Sequence, residues 1–98
     1  KRVPKAPQMG DLLSQLHALV KKRDITLIDF NHKPAQEFER YKQIPVNIIV
    51  NGGFLNIYNL IHDVETLNRV FIFEKIMIKK LEGKNLCQAT LLASVFQQ

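Results

Sequence analysis

Ninety-eight residues with 46% hydrophobic side chains, four glycines and four prolines describe one small folded domain, and they exclude a second core, a low-complexity chain and a disordered one. The net charge is +5, but Lys1, Arg2 and Lys5 supply three of those charges, so the remaining residues carry too little excess to announce a nucleic-acid surface. A single cysteine, Cys87, excludes an internal disulfide and any cysteine-based metal spacing.

Residues 1–8 are rich in proline and basic residues, lack the apolar centre of a signal peptide and lack an initiating methionine; they read as a flexible linker from an upstream anchor. Residues 9–98 form the domain. The first helix is expected over residues 11–22, where Leu12, Leu13, Leu16, Leu19 and Val20 recur at helical spacing and Lys21, Lys22 and Arg23 suit the negative end of the dipole. Residues 25–31 are β-rich and read as a first strand. Residues 32–43 turn polar around Pro34, which predicts a wide loop.

The alternation of Val46, Ile48 and Val50 predicts the second strand, with Pro45 at its unpaired end or before full pairing begins. Gly52 and Gly53 predict a sharp turn through conformations closed to other residues. A helix follows over residues 54–67, with Phe54, Ile57, Tyr58, Ile61 and Val64 on one face. Residues 69–79 return to period two as the third and longest strand, Glu82-Gly83-Lys84-Asn85 reads as a hairpin turn, and residues 86–96 alternate again as the fourth strand.

Helix, strand, strand, helix, strand, strand places two helices on one face of a four-stranded antiparallel sheet. This is an α+β two-layer sandwich, a circular permutation of the ferredoxin-like fold. Keeping chain neighbours together gives the strand order 3-4-2-1, with the third strand at an edge.

Chemistry leaves little trace. His17, His32 and His62 fall on separate elements without metal-ligand spacing. His62 and Asp63 are adjacent on a helix, point about 100° apart and read as solvent-facing residues. Neither Ser14, Ser94 nor Cys87 has an identifiable base. The expectation is therefore no enzyme, no cofactor and no metal.

The richer signal is the sheet face away from the helices. Strict alternation along the third strand sets Phe71, Phe73, Lys75, Met77 and Lys79 on one side, and if the aliphatic side takes the core, these face outward beside Leu92 and Phe96. The expected contact residues are thus Phe71, Phe73, Met77, Leu92 and Phe96, an exposed apolar surface of the kind that marks a protein interface. Aromatic rings among lysines on an open sheet also describe an RNA-stacking platform, although the glycine-aromatic consensus of such a strand is missing.

Ile44-Pro45-Val46 leading an alternating strand, Asn51-Gly52-Gly53-Phe54 entering a helix, Leu67-Asn68-Arg69-Val70 leaving it and Ile76-x-Ile78 in the next strand resemble the PilO family of type IV pilus inner-membrane assembly proteins. The resemblance runs from about Pro7 to Phe96; the type II secretion M proteins are a related alternative. It implies a periplasmic domain tethered by an upstream transmembrane helix. It also implies pairing with a second copy or with a PilN-like protein of similar fold, contact with a PilP-like lipoprotein, and no catalytic residues. Phe54 stands where the family often has tyrosine, and Gly53 adds a second glycine.

Overall fold

The computed structural model describes residues 9–67, 71–83 and 85–97. The expected linker at residues 1–8, the helix exit at Asn68, Arg69 and Val70, and Lys84 of the hairpin turn lie outside them. Among the described residues the order is α1 (Met9–Lys22), β1 (Thr26–His32), β2 (Gln36–Glu37), β3 (Lys42–Gly52), α2 (Phe54–Leu67), β4 (Phe71–Lys80) and β5 (Cys87–Gln97). The sheet runs β1-β3-β5-β4 with every pairing antiparallel, and the short β2 pairs with the start of β3. This is the expected permuted ferredoxin-like sandwich with one small strand added.

One face of the sheet makes the core. Val46, Ile48 and Val50 of β3 and Ala89, Leu91, Ala93 and Val95 of β5 are buried with Leu12, Leu16 and Val20 of α1 and Ile57, Leu60 and Val64 of α2. Both helices therefore lie on the same side. On α2 the sheet-facing stripe is Ile57, Leu60 and Val64, whereas Phe54 and Tyr58, expected to join it, are 56% and 62% exposed.

Helix α1 ends in a Schellman motif. The Ile25 amide donates to the Val20 carbonyl at 2.8 Å and the Asp24 amide to the Lys21 carbonyl at 3.3 Å, while Asp24 adopts φ 56° in the left-handed region that glycine usually fills. Val20 and Ile25, bridged by this turn, are both core residues.

The glycine pair works differently from the expected sharp turn. Gly83 is the glycine with positive φ, at +70°, in the β4–β5 hairpin; Gly52 and Gly53 are not among the positive-φ positions. Gly52 is required for space, since an added Cβ would meet Ile25 Cγ1 at 3.0 Å. Gly53 caps α2, its carbonyl accepting the Ile57 amide at 2.9 Å.

Pro45 also departs from expectation. It lies inside β3, opposite Ser94 of the central partner strand, not at an unpaired end. Its carbonyl accepts the Lys33 amide at 2.9 Å. A residue in an antiparallel strand directs its N–H and C=O to the same side, so the donor that proline lacks points to where β1 has ended at His32. The group met there is the Lys33 carbonyl, so the reciprocal bond of the Lys33–Pro45 pair is the one that proline forgoes, and regular pairing of β1 ends at this point. The expected wide loop is in turn partly a tight hairpin, with Gln36 and Glu37 paired to Gln43 and Lys42 and the Phe38 amide donating to the Tyr41 carbonyl at 2.8 Å.

Candidate interaction surface

The face opposite the helices is built from the alternate residues of each strand. On β3 these are Gln43, Pro45, Asn47, Ile49 and Asn51, and their partners on β5 are Phe96, Ser94, Leu92, Thr90 and Gln88. A polar seam crosses its middle. The Gln43 side-chain amide donates to Ser94 Oγ at 2.8 Å, and Ser94 Oγ donates to Glu74 Oε1 at 2.9 Å, which satisfies a serine that has no exposed surface at all. Beside the seam, Asn31, Pro45, Asn47, Glu74 and Leu92 line a shallow depression of about 180 Å³. The Oδ1 atoms of Asn47 and Asn51 on this face are buried without a hydrogen-bond partner.

At one corner the β2–β3 hairpin raises an aromatic cluster. Phe38 stacks on Tyr41 with ring centroids 4.8 Å apart, and Tyr41 meets Phe96 edge-on at 5.8 Å. Phe38 and Tyr41 are exposed, Phe96 is half-buried. The sequence reading passed over this pair inside a charged loop; the signal available was two aromatic residues flanking Glu39-Arg40, the width of a tight turn.

Of the five expected contact residues, the structure places Met77, Leu92 and Phe96 on this open face and Phe71 and Phe73 on the other. Phe71 is buried opposite Val95, and Phe73, opposite Ala93, is half-buried against the core, its ring 5.4 Å from that of Phe71. The cause is a β-bulge. Phe73 pairs with Ala93 and Lys75 with Leu92, so Glu74 is an extra residue on β4 and side-chain parity reverses across it. Before the bulge the phenylalanines face the helices and Ile72 faces out; after it Lys75, Met77 and Lys79 face out and Ile76 and Ile78 face the helix side. Ile72 and Met77 are accordingly exposed on the open face.

Asp63, expected to face solvent beside His62, instead joins the two helices. Arg23, just past the end of α1, makes two hydrogen bonds to Asp63 of α2, Nε to Oδ2 at 2.7 Å and Nη2 to Oδ1 at 3.1 Å. The guanidinium holds the Asp63 carboxyl below the usual aspartate range, chiefly through these hydrogen bonds. Asp63 thus turns towards α1, away from the solvent position expected for it. Among the described residues no group of three His, Cys, Asp or Glu side chains could hold a metal ion. No helix among them is long and apolar enough to cross a membrane.

The fold has known counterparts. The crystal structure of the type 4 fimbrial biogenesis protein PilO from Pseudomonas aeruginosa superposes with a TM-score of 0.84 over 93% of this chain and 70% of that one, at 19% identity. The core region of PilO from the type IV pilus system of the same organism gives 0.77 over 93% of this chain and 92% of that one, at 18% identity. At such identities the likeness establishes the fold. No match was found among curated proteins. The family profile described as "Type IVa pilus alignment subcomplex PilO C-terminal domain" matches residues 8–97. With nearly the whole chain covered by that profile, the chain belongs to the PilO family of the type IVa pilus alignment subcomplex.

Proposed function

We propose that the domain is a structural and interaction module of the inner-membrane alignment complex, located in the periplasm and tethered by a transmembrane helix upstream of this sequence. Its partners are a second copy of itself or a PilN-like protein of similar fold, and a PilP-like lipoprotein. It carries out no catalysis. The observation that supports this reading is the sheet face left free by both helices, where Ile72 and Met77 stand exposed and Leu92 lines the central depression. Exposed apolar side chains grouped on one face are the ordinary mark of a protein contact site. The competing RNA platform has lost the residues on which it rested, because Phe71 and Phe73 face the helices and no base could stack on them.

The test is a pair of aspartate variants, Met77→Asp and Leu92→Asp, assayed for binding to the PilN-like periplasmic domain and for sedimentation behaviour alone. Interface-centre side chains of this size cost roughly 1 to 3 kcal/mol on truncation, so association should weaken about tenfold or more in each variant while the far-UV spectrum and thermal midpoint stay close to the parent. Unchanged association in both would remove the open face from the interface.

A further inference from the structure

Among the described residues, strand β4 is one of the two edges of the sheet and pairs only with β5, so its outward row of backbone groups is available to another chain. On the helix side of this edge Ile76 and Ile78 lie opposite Leu91 and Ala89, which are fully buried, yet they are 43% and 37% exposed. The placement of α2 explains the difference. Ile57, Leu60 and Val64 mark its sheet-facing side, and Asp63, bonded to Arg23, marks the side turned towards α1. At 3.6 residues per turn, the side opposite Asp63 carries Phe54, Tyr58 and Ile61, with the exposed Glu65 among them. Helix α2 starts at the end of the sheet where Gly52 pairs with Cys87 and Cys87 with Lys80, and this side of it is turned away from α1, with Phe54 and Tyr58 exposed. The outcome is an apolar ledge of Ile76 and Ile78 along the helix side of the edge, left uncovered by α2 and open where the next strand would lie. On the other face of the same edge, Lys75 and Lys79 flank Met77.

We propose that the β4 edge accepts an extended segment of a partner protein in which apolar and acidic residues alternate, adding one strand to the sheet. The apolar row of that segment fills the ledge and continues the core outward. Its acidic row falls opposite Lys75 and Lys79, where opposite charges on directly facing positions stabilise a strand pair and like charges oppose it. Backbone hydrogen bonds supply the affinity and the two rows supply the selectivity. A second copy of the chain suits the edge less well. Antiparallel self-pairing that joins the two ledges, with Ile76 facing the copy's Ile78 and Met77 facing Met77, sets Lys75 against Lys79 twice. The inference rests on the reading of the domain as an assembly module, but the two fail separately, since the Met77 and Leu92 variants report on the open face and not on strand addition.

The probe is a synthetic strand of about ten residues alternating valine and glutamate, fused after Gln98 through a Gly/Ser linker of about 15 residues, which sets an effective concentration in the millimolar range. The control carries lysine in place of glutamate. Amide hydrogen exchange in β4 should slow at least tenfold with the acidic probe at every second residue between Lys75 and Lys79, and remain unchanged with the lysine probe. The double variant K75E/K79E, altered at two exposed positions, should reverse that preference. Equal protection by both probes, or by neither, would overturn the proposal. So would protection in the unfused protein that grows with its concentration, because that assigns the edge to a second copy.

Discussion

Deleting Glu74 should leave the fold standing. Phe73 and Lys75 already pair with consecutive residues of β5, Ala93 and Leu92, so removal of the residue between them joins two segments that are in register and on their correct faces. The cost is local. Ser94 has no exposed surface and loses the carboxylate that accepts its hydroxyl at 2.9 Å, while it keeps the bond from Gln43. A buried donor left without an acceptor costs about 1 to 3 kcal/mol. Against this, one residue fewer is ordered on folding, which recovers about 1 to 2 kcal/mol of backbone entropy. The net change therefore runs from a gain of about 1 kcal/mol to a loss of about 2, or a fall of no more than roughly 15 °C in the melting midpoint of a domain this size. Urea and thermal denaturation followed by circular dichroism would measure it. If β4 instead alternated without interruption, the deletion would turn either Phe71 and Phe73 or Ile76 and Ile78 to the opposite face. Exposing two core phenylalanines at about 3 to 5 kcal/mol each would exhaust the stability of a small domain. An unfolded deletion variant, or one weakened by more than about 4 kcal/mol, would refute the bulge.

The same parity predicts that Phe73→Asp and Met77→Asp, equivalent positions under strict alternation, behave oppositely in denaturation. The first should lose more than about 2 kcal/mol through a lost ring packed against the core and a half-buried charge, the second less than about 1; equal effects would contradict the assigned faces. Gly52→Ala should destabilise by about 1 to 3 kcal/mol, because its Cβ lands 3.0 Å from Ile25 Cγ1, whereas Gly53→Ala meets nothing nearer than Asn56 Nδ2 at 3.6 Å and should cost under about 1 kcal/mol. Asp24→Gly should raise stability by about 0.5 to 1 kcal/mol, since it relieves the left-handed conformation and removes a carboxylate from a helix C-terminus; a fall in the midpoint would mean that Asp24 makes a compensating contact. The folded-state pKa of Asp63 is depressed, so its contribution is present above the ordinary aspartate value of about 3.9 and is lost as pH falls through the lower folded value. Asp63→Asn should therefore lower the midpoint at neutral pH and flatten its decline in acid, and parallel profiles from pH 7 to 2 would show that the Arg23 pair does not contribute.

Helix α2 was legible because its signals are local: Gly53 leads in and a helical period runs throughout, although of the expected face only Ile57 and Val64 belong to the buried stripe, which Leu60 completes. Its outer residues were harder to place. Phe54 and Tyr58 are as apolar as the buried stripe and only one step around the helix from it, and whether that step is covered depends on how far α2 overhangs β4. The strand order followed from keeping chain neighbours together, a rule insensitive to detail. Pro45 could not be placed from sequence, because the cost of its missing donor depends on which residue faces it, and here that is Lys33, just past the end of β1, where the loss of one bond ends the ladder and does not interrupt it.

The bulge was legible in principle. Phe71 and Phe73 are two apart, Ile76 and Ile78 are two apart, but Phe73 and Ile76 are three apart, and one extra residue is what places all four on a single face. Read that way, β4 presents apolar side chains on both faces of an edge strand: Ile72 and Met77 outward, Ile76 and Ile78 on the helix side. By contrast the centre of the open face, on β3 and β5, is largely polar, with Gln43, Asn47, Asn51, Gln88, Thr90 and Ser94. A partner that covered only that centre would desolvate amides for little hydrophobic return. The surface rewards a contact that reaches the β4 margin and can use both of its faces, which flat docking on the sheet cannot do and an added strand can.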